Sequence, residues 1–305
     1  MPKVEIIYNG VLEGHKDAVY ALKTGQEPYI FFSAGGDGQI VKWDLQKKDH
    51  GELVASLPMA VYSLLYFKEK DLLIAGCRSG SLYVFDLAHH RKEQLIRLKG
   101  DVFDLCYLPG TDMFAAACAD GHLYVISTSN YEIIHDIHPT SNHARTLALN
   151  PDHSSLASGW SDGKIRIFET KGFAETESFI ANQPSVFSMV FSNDGKKLIS
   201  GGRDARIRVW DASLSYIEDQ VIPAHLFTVN DLILIPELNL MVSASRDKTV
   251  KIWDSDSFAL LKVIDRPKLP AHSHSVNKVL WTGYDHLMLS AGDDKTIRIW
   301  GIICG

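Results

Sequence analysis

Apolar and polar residues alternate along this chain in short runs, and turn-forming residues break them at close intervals. Residues 185–222 show the pattern. SVFSMVFS alternates with a period of two, so one side of an extended strand is apolar. Asn193-Asp194-Gly195 follows, then KKLISGG, then Arg203-Asp204-Ala205, then RIRVW, and SYIEDQVI closes the stretch. Asn-Asp-Gly between alternating runs is a hairpin signal, because these residues accept the left-handed backbone of a tight turn. No long stretch settles into a helical period. The pattern predicts an all-β chain of short strands.

The pattern also repeats. SRDKTVKIWD at 245–254 is echoed by GGDGQIVKWD at 35–44, GRDARIRVWD at 202–211 and GDDKTIRIWG at 292–301. The shared Asp falls at Asp37, Asp120, Asp162, Asp204, Asp247 and Asp294, with Ser79 at the matching place in CRSGSLYVFD. Six residues beyond each is a large apolar residue: Trp43, Phe85, Ile126, Phe168, Trp210, Trp253 or Trp300. Seventeen residues before each stand Tyr20, Tyr62, Phe103, Arg145, Phe187, Asn230 and Asn277. These offsets hold in all seven units while the spacing between units varies. Each unit is therefore a rigid packed hairpin followed by a variable loop.

Composition adds little except by exclusion. With a net charge of −6, bulk electrostatics favour neither nucleic acid nor an anionic membrane. No apolar run is long enough to span a bilayer, and the N-terminal MPKVEIIYNGVLEGHKD reads as a strand, not a signal peptide. Cys77, Cys106, Cys118 and Cys304 lie far apart without a CxxC, which suits buried thiols in a reducing, cytoplasmic setting. No nucleotide loop, HExxH or metal-spaced Cys/His cluster occurs, so no cofactor and no metal are expected. The HHRK at 89–92 reads as an exposed loop, and Lys164, Arg166, Arg206, Arg208, Lys251 and Arg298 as a solvated strand face.

The repeat resembles the WD40 β-propeller family, in which each unit supplies a four-stranded blade, and the resemblance covers the whole chain. Units 1, 5, 6 and 7 match specifically, while units 2 and 3 are degenerate. It implies a single domain over residues 1–305, a seven-bladed β-propeller of four-stranded antiparallel blades. In that family the N-terminal strand completes the last blade, so residues 3–12 would be the outer strand of blade 7.

The resemblance also gives roles to the repeated polar residues. Blade 1 holds His15, Ser33, Asp37 and Trp43; blade 6 holds His225, Ser243, Asp247 and Trp253; blade 7 holds His272, Ser290, Asp294 and Trp300. A Ser, a His and an Asp could suggest a hydrolase triad, but a triad occurs once and these sets occur three times at matching offsets. They read as structural tetrads, in which Asp accepts from His, His meets Ser, and Ser meets the indole N–H. Blade 5 keeps Ser200, Asp204 and Trp210 with Asn182 in the His place. Blades 2 to 4 lack the Trp and are expected to rely on packing alone.

Function is then expected at the variable positions. In this family partners dock on the top face, at the rim of the central channel. Three positions per blade would face it: the residue seventeen before the anchor Asp, the one two before that, and the one preceding the Asp. The second set is Ala18, Ala60, Asp101, His143, Ser185, Thr228 and Ser275; the third is Gly36, Arg78, Ala119, Ser161, Arg203, Arg246 and Asp293. The candidate partner-binding residues are Tyr20, Tyr62, Arg78, Phe103, Arg145, Phe187, Arg203 and Arg246, with Trp160 as a further rim aromatic. Aromatics and Arg dominate binding hot spots. This predicts a non-catalytic scaffold that grips a peptide or protein partner, within a multiprotein complex, through an acidic or phosphorylated residue beside apolar ones. A plug of aromatics filling the channel is the alternative for the four rings. A propeller hydrolase using the channel, or a subunit of a nucleic-acid-associated complex, are the alternatives for the chain; neither nucleic acid nor membrane is expected as a direct partner.

Overall fold

Seven four-stranded sheets carry nearly all the regular structure, and short 3-10 turns the rest. The class is the all-β one that the repeats predict: seven antiparallel blades of a β-propeller. The computed structural model describes residues 4–47 and 51–305. They fall into two units, one of Met1–Leu73, Asp86–Arg91 and Asn230–Gly305, the other of Ile74–Phe85 and Lys92–Val229.

In the first unit, blade 1 runs Val19–Thr24, Ile30–Gly35, Gln39–Asp44, Gly51–Ser56. Blade 7 runs Val276–Trp281, Leu287–Gly292, Ile297–Cys304, and the N-terminal strand Val4–Leu12 is its outer edge. Val4 stands opposite Cys304 and Leu12 opposite Ile297. Lys3, expected in that strand, lies outside the described residues. Leu12, Phe31, Trp43, Leu289 and Ile299 share one buried cluster, so blades 1 and 7 pack side by side.

In the second unit, blade 3 runs Val102–Leu108, Met113–Cys118, Leu123–Ser127, Ile133–Ile137. Blade 4 runs Ala144–Leu149, Ser155–Trp160, Lys164–Glu169, Glu175–Ile180, and blade 5 Val186–Phe191, Lys197–Gly202, Arg206–Asp211, Ile217–Pro223. Leu108, Leu147, Leu156, Trp160 and Phe168 share a core cluster between blades 3 and 4, and Ala148, Ile165, Val186, Leu198 and Trp210 another between blades 4 and 5. The sheet of blade 2 holds Val61–Phe67, Leu72–Cys77, Ser81–Asp86 and Arg91–Arg97, and blade 6 holds Val229–Ile235, Leu240–Ser245, Val250–Asp254 and Leu260–Ile264.

Two local devices recur. The anchor Asp closes the turn between the second and third strands with its own side chain: Asp37, Asp162 and Asp247 accept the N–H two residues on at 3.0 Å each. The next residue takes the left-handed backbone, as Gly at Gly38, Gly80, Gly121 and Gly163, but as Ala205, Lys248 and Lys295 elsewhere. The second device is a bulge. In the first strands of blades 1, 3, 4, 5 and 7 the register slips at Val19/Ala21, Val102/Asp104, Ala144/Thr146, Val186/Ser188 and Val276/Lys278. The residue left unpaired is the one seventeen before the anchor. A bulge re-aims the side chain it carries, which frees this position from the core pattern.

Candidate partner-binding site

The bulge residues of the second unit meet. Arg145 lies between two rings, its guanidinium carbon 5.1 Å from the Phe103 centroid and 4.7 Å from that of Phe187. His143, exposed, stacks on Phe103 at 6.0 Å and 23°. Arg145 is half-buried, and its Nε is enclosed with no hydrogen-bond partner. Burial presses against its charge first, and the like charge of Arg203 second. A guanidinium stays protonated under such pressure, so the site holds two positive charges, that of Arg203 exposed to solvent. Among the described residues no carboxylate pairs with Arg145 or Arg203. The Ser185 hydroxyl, two positions before Phe187, is a second enclosed group without a partner. Its carbonyl accepts the Arg203 N–H at 3.0 Å, which ties the Arg203 turn to this strand. The arrangement places two cations beside apolar rings.

In the first unit, Tyr20 and Tyr62 meet at 5.5 Å and 54°. Burial raises the Tyr20 hydroxyl pKa, with Asp293 and Asp17 adding to it. Asn277 donates to Asp293 Oδ1 at 2.7 Å and to the Val19 carbonyl at 3.1 Å. Asn230 donates to Ser275 Oγ at 3.0 Å and the Val276 carbonyl at 2.8 Å. These two bulge-position residues tie blades together. Arg78 and Arg246 are exposed, and among the described residues neither has an ion-pair partner.

The tetrad positions form chains of hydrogen bonds. His15 Nδ1 meets Asp37 at 3.0 Å, His15 Nε2 meets Ser33 Oγ at 2.7 Å, and Trp43 Nε1 donates to Ser33 at 2.7 Å. His272 meets Asp294 at 2.8 Å and Ser290 at 2.8 Å, and Trp300 donates to Ser290 at 2.8 Å. In blade 6 Trp253 donates to Ser243 at 2.9 Å. In blade 5 Asn182 substitutes for the His, accepting from Ser200 at 2.7 Å and donating to Asp204 at 3.1 Å. Ser33 and Ser290 are fully buried, so a substrate has no route to either hydroxyl.

Three expectations fail. Trp160 is not at a rim: it is fully buried in the blade 3–4 core, with the Arg166 guanidinium 5.0 Å over its ring. Arg166 and Arg208 are not solvated. Arg166 is 6% exposed and bonds Asp162 at 2.7 Å; Arg208 reaches Asp204 at 2.6 Å and Glu218 at 3.1 Å. Arg298 sits 3.7 Å from Asp294. The anchor Asp thus draws in the Arg four residues on. Blades 3 and 4 consequently do not rely on packing alone: Asp162 is held by Arg166, and Asp120 accepts from the Tyr124 hydroxyl at 3.3 Å. The HHRK segment is part turn and part strand; its His89 meets Asp86 at 2.7 Å. Cys77 and Cys118 are buried, Cys106 half-buried and Cys304 exposed, and burial pushes the Cys77 thiol up to about 12.

Sequence reasoning missed the carboxylates that join blades. Asp104 accepts the Leu147 N–H of the next blade at 2.8 Å. Asp231 accepts the Val279 N–H at 3.0 Å and pairs with Lys278 at 2.8 Å. Both stand one residue after the bulge position, a shared offset that could have exposed them. Among the described residues no group of three His, Cys, Asp or Glu is placed to hold a metal.

Repeating blades, polar locks and a cationic aromatic cluster define a repeat protein of the propeller class. The family described as WD domain, G-beta repeat matches residues 7–44, 133–169, 175–211, 218–254 and 265–301, more than half of the chain, and the chain belongs to that family. It is also similar to nuclear distribution protein PAC1 of Fusarium vanettenii, 32% identical over 129 residues that cover 39% of this chain and 29% of that protein. The alignment thus reaches less than a third of that relative's length.

Proposed function

We propose that this chain is a non-catalytic interaction scaffold that holds a protein partner by a segment carrying an anionic residue. Membership of the WD40 family and the partial likeness to PAC1 support an interaction role in general. The observation that carries the specific reading is Arg145 stacked on Phe103 and Phe187 with Arg203 beside it and, among the described residues, no carboxylate paired to either. The rings stabilise the half-buried cation but leave it without an anion, which a partner would supply. The rings fix the guanidinium in advance, which lowers the ordering cost of binding. The tetrad serines are enclosed and structural, which weighs against hydrolysis.

The test is an affinity capture from source-cell lysate with the wild-type chain and an Arg145→Ala/Arg203→Ala/Tyr62→Ala variant of unchanged melting temperature. A partner held by the first and lost by the second is expected. A partner retained equally by both contradicts the reading.

A further inference from the structure

The loop that enters blade 6 departs from the other blades at two positions. The slot 21 and 20 residues before the anchor Asp is Lys16-Asp17 in blade 1, Ser141-Asn142 in blade 4 and Ser273-His274 in blade 7, but Leu226-Phe227 in blade 6. Leu226 is 84% exposed and Phe227 58% exposed. They are not a frayed tip. On either side of them Ala224, His225, Thr228 and Val229 are all buried. The loop is pinned by the Ala205 carbonyl, which accepts the Ala224 N–H at 3.2 Å and the His225 N–H at 3.1 Å. Two anchored neighbours on each side hold two large apolar side chains out into solvent. Such exposure at a fixed point is the mark of a contact surface.

The loop is pinned to a particular place. Ala205 ends the turn that carries Arg203, and Arg203 is bonded through its N–H to Ser185 on the strand of Phe187. The turn that holds this loop through Ala205 thus also holds the Phe187 strand through Arg203, all inside the second unit.

We propose that Leu226 and Phe227 are the apolar half of the docking surface whose charged half is Arg145 and Arg203, and that its occupant is an acidic partner segment with a large apolar residue next to an Asp or Glu. The proposal rests on the anion-binding reading above and extends it to a specific sequence class. Charge complementarity selects the acid. Arg145 stacks on two rings and its Nε is enclosed, so it offers the edge that carries its Nη groups. A planar carboxylate matches that edge with two parallel hydrogen bonds. A phosphate would bring roughly twice the charge into a setting flanked by rings, at a larger desolvation cost.

The experiment selects binders to the full-length chain from a random peptide library on phage, beside a synthetic array with phosphoserine fixed at the centre. The winning peptides are then titrated against wild type, a Leu226→Ser/Phe227→Ser variant and Arg145→Ala. The expected result is enrichment of Asp or Glu beside Leu, Phe, Trp or Met, with binding weakened roughly tenfold or more by either variant. Both apolar residues are exposed, so the double-Ser variant should melt like wild type. Acidic peptides that depend on Arg145 but ignore the double-Ser change overturn this inference and leave the anion-binding reading standing. Binding only on the phosphoserine array overturns the choice of a carboxylate. Peptides indifferent to Arg145, or no enrichment at all, overturn both.

Discussion

Ser33 and Ser158 hold the same position in two blades and do opposite work. Ser33 accepts from Trp43 and meets His15, while Ser158 is buried with no partner because Phe168 and Thr140 stand where the Trp and His would be. Ser33→Ala should cost about 1–3 kcal/mol, since it strands two buried groups, whereas Ser158→Ala should be neutral or slightly stabilising. Urea midpoints of the two variants check this, and equal losses would refute it. Asp294 offers a pH test. Burial opposes its charge, but the hydrogen bond and charge of His272, with the Ser273 N–H and the Thr296 hydroxyl, outweigh burial and hold its carboxyl below the usual range. A lowered native pKa adds stability that is present above the unfolded value of about 4 and is lost as pH falls through the native one. Melts from pH 5 downward should show a loss that Asp294→Asn lacks. The tetrads were legible in the sequence because their offsets repeat. The buried Arg166 was not, since a cation alternating along a strand reads the same whether it faces water or folds onto an Asp. The signal lay in the spacing, an Arg four residues after the anchor Asp, which recurs at Arg208 and Arg298.

At the scale of the element, the turn and the bulge set where side chains go. Lys248 is exposed and takes a left-handed backbone in the turn where four other blades place Gly. Lys248→Gly should raise stability by about 0.5–1 kcal/mol, the relief of the Cβ clash less the entropy that Gly adds to the unfolded chain. An unchanged or lower urea midpoint would count against it. Asp231, 4% exposed, bonds the backbone of the next blade. Asp231→Ala should cost about 1–3 kcal/mol by orphaning the Val279 N–H, and Lys278→Ala, which removes a part-exposed ion pair and leaves that backbone bond in place, less. Chemical denaturation of both separates a backbone clamp from a surface salt bridge. Strand order and hairpin turns were legible from period-two patterning and Asn-Asp-Gly. The bulges were not, because one extra residue in a strand leaves the local alternation almost intact. Only the fixed offset of seventeen residues marked the positions, without saying that each is unpaired.

For the whole molecule, a net charge of −6 coexists with a cationic cluster in the second unit that has no acidic partner among the described residues. Composition alone pointed away from anions, and the offset of Arg145 between aromatic positions pointed toward them. The seven-fold repeat made the fold class plain even where blades 2 and 3 drift from the family pattern. The apolar pair Leu226-Phe227 stayed hidden because it lies in a loop, where periodicity carries no information. The account stands or falls on Arg145. The most direct test is the dissociation constant of the captured partner for wild type, Arg145→Lys and Arg145→Ala, each at low and high salt. The account predicts at least roughly tenfold weaker binding for Arg145→Ala, an intermediate value for Lys, and a salt dependence that shrinks when the guanidinium is removed. Equal affinities for all three proteins, with the same response to salt, would contradict it.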